Sequence, residues 1–591
     1  MNQKLDNLRA AMSQRGVAAY LILNTDPHND EYIPREYQTA AALTGFTGEN
    51  ATVVVTQDFA GVWSDARFYI SGEQELKGSG FELMKGDGRS NEPPYAKYLA
   101  EHLRNGDKVG VDGQLITAAK LKRIKSILSP KGITVDNSVD LTPVFWADRP
   151  EPTFSDIYVL DEKYTGLSAA QKIADLRKEN GVDYQVVTPL DEIAWLLNLR
   201  AADIDFCPLF RAFLVVGKAD VLLFVHDGRI NGDVKAHLDK CGVTVRSYDD
   251  IYNYLRQLPA DAKVHIDPKT ANSLIASSIN PKCQISDAPS PIPKAKGIKN
   301  ETELHNIRQA LIKDGVAMER FFYKMEQKLA HNEPLTEMSL AKMLLKEREK
   351  GEGFISESFG CISAFNAHAA MPHYAPTDES DIPVDANGVY LVDSGGQYYE
   401  GTTDITRTIA TTKDGRFSDK FALDYTLVLQ GHIELATAVF PEGSSGSRLD
   451  ILARFNMWKY GRDYQHGTGH GVGYCLNCHE GPHSFSPVHN TVALVPGMII
   501  TDEPGIYIEN EYGIRTENIL EVVKSEYEGF CKFNAITLCH IDTRPIVKEI
   551  LSPSQISFIN DYNQRVFDTL SPYLDEAEVQ YLRERTAKIN A

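Results

Sequence analysis

The chain has 591 residues, 42% hydrophobic and 24% charged, with a formal net charge of −20 at pH 7. That length is too great for one core and implies about three or four domains at ~100–200 residues each, and the acidic balance argues against a nucleic-acid partner, which wants a basic face. No run approaches the ~20 apolar residues of a membrane span, and eight irregularly spaced cysteines fit reduced buried thiols better than a disulfide framework, so a cytoplasmic protein is expected.

The start, MNQKLDNLRAAMSQRG, sets Leu5, Leu8 and Met12 at amphipathic helical spacing and lacks the long apolar stretch of a secretion signal. Gly16-Val17 stops that helix before an apolar strand, AAYLIL. The same order returns at Leu176-Arg177, Gly181-Val182 and Asp183-Tyr184, which reads as an internal duplication of an α/β unit. Two proline-bearing stretches, WADRPEPTF (146–154) and DAPSPIPKAKG (287–297), mark boundaries. The expected domains are 1–150, 151–296 and 297–591, the last large enough for a full catalytic domain.

The third block opens with Asn300 and Glu303, an N-cap and its third-position carboxylate, ahead of Leu304, Ile307, Leu311, Met318, Phe321 and Phe322 at helical spacing. From Ile355 to Val523 short apolar strands alternate with Gly-rich turns, which predicts a curved antiparallel sheet flanked by helices. After Ser552, Ile556, Ile559, Tyr562, Val566 and Leu570 predict a helix packed on the catalytic block or on another subunit.

Four runs in this block carry Asp393, Asp404, His470, Glu503 and Glu517: YLVDSGGQYYEGTTDITRT (390–408), HGTGHGVG (466–473), IITDEPGIYI (499–508) and GIRTENI (513–519). Four carboxylates and one neutral imidazole balance two divalent ions before any water is added, which makes burial of so many acids tolerable. Asp393 ends an apolar strand and Asp404 opens the next, so a hairpin would bring them to one end. Glu517 alternates with Arg515 and Ile519, predicting one shared strand face. Glu503 stands at a strand end before Pro504-Gly505, and His470 lies among four glycines, where backbone can approach an ion. A single Asp or Glu in such a place is more often a turn or cap residue; five together argue for a two-metal hydrolytic centre.

Cys475-Leu476-Asn477-Cys478-His479 spells the C-x-x-C-H haem-attachment pattern, but it falls inside the metal-site block, and no second cysteine pair supports zinc. His368, Tyr398 and Tyr399 read equally as pocket neighbours or as core and loop residues.

These runs resemble those of the pita-bread metallopeptidases, the group of aminopeptidase P, prolidase and methionine aminopeptidase, whose ligands run Asp, Asp, His, Glu, Glu in chain order. LDEIAWLLNLRAADIDFCPLF (190–210), DPHNDEYI (26–33) and WSDAR (63–67) resemble the second and first domains of the long, three-domain aminopeptidase P. The resemblance implies an α/β (α+β) fold in which two creatinase-like N-terminal α/β domains precede a pita-bread catalytic domain. It implies two divalent ions, manganese by family habit, with Asp393 on one, His470 and Glu503 on the other, and Asp404 and Glu517 bridging. A hydroxide shared by the ions would attack, and Glu503 would shuttle the proton. His373, His466 and His479 match positions around the substrate proline and the tetrahedral intermediate, Arg515 an orienting position, and Arg67 and His28 less secure cleft-lining positions. The implied protein is a homodimeric Xaa-Pro aminopeptidase acting on peptides with proline second. A prolidase confined to Xaa-Pro dipeptides is the runner-up; a catalytically inactive binding protein and metal-free creatinase-like hydrolysis are disfavoured because none of the five ligands is missing.

Overall fold

The computed structural model describes residues 2–48, 50–65, 68–86 and 92–590. The chain divides into two compact units, Met1–Leu160 with Leu167–Ile292, and Asp161–Gly166 with Pro293–Ala591.

In the first unit the helix Gln3–Arg15 buries Leu5, Leu8 and Met12 and ends at Gly16 with φ 63°. The helix Ala169–Asn180 ends at Gly181 with φ 58°. Both glycines occupy the left-handed region that closes a helix at least cost without a Cβ. Each helix leads to an inner strand, Ala19–Leu23 or Tyr184–Val187, of a six-stranded sheet. The first sheet runs Glu82–Lys85, Ala60–Ser64, Thr52–Thr56, Ala19–Leu23, Lys108–Val111, Thr134–Asp136; the second runs Val243–Ser247, Val221–Val225, Ala212–Gly217, Tyr184–Val187, Lys263–Ile266, Gln284–Ser286. Across each sheet the pairings are parallel, antiparallel, antiparallel, parallel, parallel. The duplication legible in two helix ends is therefore a repeat of the whole strand order.

In the second unit the 30-residue helix Glu301–Ala330 begins with a reciprocal capping box between Asn300 and Glu303. The helix Pro553–Leu570 begins with another, between Ser552 and Gln555. Its Ile559, Tyr562, Val566 and Leu570 join the core that also holds Leu427, Leu520 and Ile541. Full burial of such apolar side chains is worth ~1.5–3 kcal/mol each, so the last stretch is anchored to the catalytic block. The single curved sheet expected here is realised as several antiparallel ones. A six-stranded sheet runs Val439–Pro441, Phe530–Ala535, Asn518–Lys524, Ile499–Asp502, Gly469–Val472, His479–Phe485, and a three-stranded sheet sets Val389–Ser394 between Ile362–Phe365 and Ile405–Ala410. Among the described residues no helix is long and apolar enough to cross a membrane.

Candidate metal centre

The hairpin of the three-stranded sheet places Asp393 opposite Thr406, and Asp404 precedes the second strand by one residue. Both acids are buried. Glu503 and Glu517 come from a second hairpin, and here the structure differs from the single strand face expected for Arg515, Glu517 and Ile519. Arg515 ends the strand Tyr512–Arg515, paired to Gly505–Ile508, whereas Ile519 belongs to Asn518–Lys524, paired to Ile499–Asp502. The register Gly505 to Arg515 and Asp502 to Asn518 sets Glu503 against Glu517 in the gap between the two ladders. Pro504 is the physical cause, since it has no N–H to give the ladder. The glutamates' own N–H groups turn to neighbouring segments, Glu503 N donating to Thr468 O at 2.8 Å and Glu517 N to Thr406 O at 3.1 Å.

His470 lies in the strand Gly469–Val472, where its glycine neighbours serve strand packing. A Cβ on Gly469 would stand 1.9 Å from Thr501 O, so only glycine lets this strand lie so close beside Ile499–Asp502. The His470 ring engages Gly471 O through Nδ1 at 2.9 Å. Its Nε2 then faces Asp404 Oδ2 at 3.4 Å and Glu503 Oε1 at 3.6 Å. Donor atoms of Asp404, His470 and Glu517 all lie within 4.8 Å of one another.

The electrostatics of this cluster are those of acids gathered without enough cations. Burial raises the Asp393 carboxyl, against the opposing Arg515 charge and with repulsion from Asp404. Burial and repulsion from Asp404, Asp393 and Glu503 hold Glu517 well above the carboxylate range. Glu503 is pushed up to about 7, again chiefly by burial. For Asp404 burial acts upward too, but the hydrogen bond and charge of His470 outweigh it and the net displacement is downward. Asp393 Oδ1 is buried with no hydrogen-bond partner. A set of four carboxylates and one imidazole with such an orphaned oxygen fits hard divalent cations.

Arg515 orients the centre from one side. Its Nη2 donates to Asp393 Oδ2 at 2.6 Å, its Nε to Thr406 Oγ1 at 3.2 Å and its Nη1 to the Tyr507 hydroxyl at 2.7 Å. Tyr507 stands in turn 2.8 Å from His466 Nε2. Because His466 Nδ1 contacts Gly467 O at 2.7 Å, Nδ1 carries the proton and Nε2 accepts from Tyr507. His466 thus joins Asp393 through two intermediaries. His373 and His479 are exposed instead. His479 sets its ring 4.3 Å from that of His470, and Pro372, next to His373, offers its carbonyl to Arg515 Nη2 at 3.4 Å.

The remaining expected residues divide. Arg67 lies outside the described residues. His28 is not a cleft-lining group: it is 1% exposed, and its ring engages Thr188 O at 2.9 Å and the Tyr248 hydroxyl at 2.7 Å within the first unit. His368 contacts both oxygens of the buried Glu337 at 3.0 Å. Tyr398 is a core residue, donating to Asp314 at 3.1 Å, while Tyr399 reaches the surface.

Sequence reasoning missed three participants. Thr406 gives its hydroxyl to Glu517 Oε2 at 2.6 Å; its place opposite Asp393 was the available signal. Tyr507 was hidden because its partner His466 lies 41 residues away. Cys478, set aside with the haem-like pattern, lies with its thiol 3.2 Å from Asp404 Oδ2.

Known proteins resemble this chain along its whole length. Two models described as "Creatinase/Prolidase N-terminal domain" match residues 4–150 and 148–303. "Metallopeptidase family M24" matches 305–524, and its C-terminal region matches 529–589. Aminopeptidase P2 of Arabidopsis thaliana is 36% identical over 98% of this chain and 87% of its own length. Xaa-Pro aminopeptidase 1 of Dictyostelium discoideum is 35% identical over 98% of this chain and 95% of its own. Among solved structures, the X-prolyl aminopeptidase of Caenorhabditis elegans, described as a cytosolic enzyme with a di-nuclear active site, superposes with a TM-score of 0.94 at 33% identity, covering 99% of each chain.

Proposed function

This chain belongs to metallopeptidase family M24, and from that premise we propose that it is an Xaa-Pro aminopeptidase, releasing the N-terminal residue from peptides with proline second. The observation that carries the reading is the convergence of Asp393, Asp404, His470, Glu503 and Glu517 from two hairpins and a glycine-bounded strand on one polar centre.

In this proposal those five side chains would hold two divalent ions, both manganese: Asp393 would serve one, His470 and Glu503 the other, and Asp404 and Glu517 would serve both. When bound, the ions supply Lewis-acid charge and bring water activation near neutral pH. Glu503 takes the proton from the attacking water as its oxygen bonds to the scissile carbonyl carbon, and gives it to the proline nitrogen as the C–N bond breaks. That proton delivery matters because the imide nitrogen of an X–Pro bond carries no hydrogen of its own. Arg515 and Tyr507 hold Asp393 and His466 in place. The exposed His373 and His479 supply donors to the substrate, and Arg67 is assigned to substrate binding.

Functionally we take 1–150, 151–296 and 297–591 as the three domains. Among the described residues none of the eight cysteines is in a disulfide, which fits a reducing, cytoplasmic setting. We also propose a homodimer: Ile451, Phe455 and Trp458 stand exposed four and three residues apart on the helix Gly446–Trp458, an apolar stripe of the kind that associates. Sedimentation of Phe455→Asp tests this, a dimer in the variant overturning the choice of face.

The activity test is hydrolysis of Arg-Pro-Pro and Arg-Pro by metal-stripped protein with and without Mn²⁺, beside Glu503→Gln. Mn²⁺-dependent release of Arg from the tripeptide, lowered about 10³-fold or more in the variant, supports the proposal. Turnover of the dipeptide alone would make the enzyme a prolidase.

A further inference from the structure

Arg407, in the strand Ile405–Ala410, is 3% exposed. A buried guanidinium normally meets a carboxylate, because an uncompensated buried charge is costly. Among the described residues this one donates only to neutral acceptors. Nη1 reaches Thr406 O at 3.0 Å and Glu517 O at 2.6 Å. Nη2 reaches Asn518 Oδ1 at 2.9 Å, Cys539 O at 2.8 Å and the Tyr562 hydroxyl at 3.0 Å, and Nε reaches His540 O at 3.0 Å.

Two of those carbonyls, Thr406 and Glu517, belong to the point where the hairpin bearing Asp393 and Asp404 meets the hairpin bearing Glu503 and Glu517. Thr406 is already tied there to Glu517 by hydroxyl and carbonyl. The third anchor comes from far along the chain. Tyr562 lies on the helix Pro553–Leu570. Having accepted from Arg407, its hydroxyl donates to one of Asn518 Oδ1, Thr537 O and Cys539 O, at 3.2, 3.0 and 3.1 Å.

Asn518 extends the path, its Nδ2 donating to His432 Nε2 at 3.1 Å. His432 therefore carries its proton on Nδ1, which donates to the backbone O of Asp502 at 3.3 Å with Asp502 Oδ2 3.0 Å away, and Asp502 directly precedes Glu503. One buried network thus grips the backbone of Glu517 and the residue before Glu503.

We propose that the C-terminal helix is a positioning element of the metal centre: Tyr562, acting through Arg407 and Asn518, fixes the backbone from which Glu517 and Glu503 reach their cations. The proposal gives the stretch after Ser552 a role beyond packing, and it rests on the metal-centre reading.

The test is the Mn²⁺ dissociation constant of the full chain, measured by competition with a fluorescent chelator. Tyr562→Phe keeps the ring and removes the hydroxyl, and should weaken Mn²⁺ binding about tenfold, the low end for an outer-shell partner. Val566→Ala, fully buried on the same helix, should lower Tm while leaving the constant within about twofold. If Tyr562→Phe does not fold, His432→Gln at the far end of the network carries the test with the same expected weakening. An unchanged constant in the network variant, or equal weakening in Val566→Ala, would overturn the helix's role. A wild-type chain that binds no Mn²⁺ would overturn the metal centre as well.

Discussion

Asp314 and Glu517 are both buried carboxylates of the catalytic unit, exposed by 2% and 1%, yet their surroundings are opposite. Asp314 receives a two-pronged Arg348, Nε to Oδ1 at 2.8 Å and Nη2 to Oδ2 at 3.1 Å, with the Tyr398 hydroxyl at 3.1 Å. Glu517 receives the neutral hydroxyl of Thr406 and three neighbouring acids, which hold its proton affinity well above the usual range. A buried acid that brings its own cation is part of the scaffold. One crowded by other acids would, on the proposed reading, be completed by a cation from outside. Burial alone, common to both, distinguishes nothing.

The sharpest way to break that distinction is to remove the scaffold's acid charge. Asp314→Asn leaves the fully buried Arg348 without its counter-charge and should cost about 3–5 kcal/mol of folding stability, while the refolded protein keeps wild-type Mn²⁺ affinity. Denaturant titration and chelator competition give the two numbers. A variant as stable as wild type, or one that loses metal in proportion to stability, would erase the contrast.

How much of this was legible beforehand depended on sequence distance. Gly16 and Gly181 announced the repeat because a helix end is a local event. Asn300 with Glu303, and Asp393 with Asp404, were legible for the same reason. Arg515 and Glu517 misled: their alternation suggested one strand, and only Pro504, on the opposing strand, signals the break that turns Glu503 and Glu517 toward each other. The Tyr507 link to His466 and the Arg407 grip on Glu517 span 41 and 110 residues, and no local pattern encodes such contacts.

A second prediction uses proton linkage. In metal-free protein Glu503 titrates at about 7 against an ordinary 4.5, so the folded state binds more protons than the unfolded state in that window. Stability is then lost as pH rises from about 4.5 to about 7, by up to about 1.4 kcal/mol per unit for this group. Glu517, displaced in the same direction, adds to the fall. On the proposed reading Mn²⁺ would displace those protons, and its stabilisation would grow as pH rises. Thermal unfolding of metal-free wild type and Glu503→Gln at pH 5 and 7.5 measures this: the variant should show the shallower decline, and equal declines would refute the assignment.

Arg515 tests the boundary between the two kinds of acid, since among the described residues it is the one guanidinium hydrogen-bonded to a carboxylate of the centre. Arg515→Lys keeps the charge and loses the fork that spans Asp393, Thr406 and Tyr507. Activity on Arg-Pro-Pro should fall about 10–100-fold, with Tm nearly unchanged. Full activity would mean that the charge alone suffices.

The smallest effect belongs to Cys478. Its thiol, 3.2 Å from Asp404 Oδ2, adds a hydrogen bond that helps keep this carboxyl ionised, but a thiol is a weak donor. Cys478→Val has a similar shape without the donor, so it isolates the bond from the packing. The loss should stay below about 1 kcal/mol, or about fivefold in Mn²⁺ affinity, with Cys478→Ser recovering most of it through a hydroxyl donor. If serine and valine weaken binding equally, the thiol contributes by filling space, and the hydrogen bond it gives Asp404 does not matter to metal binding.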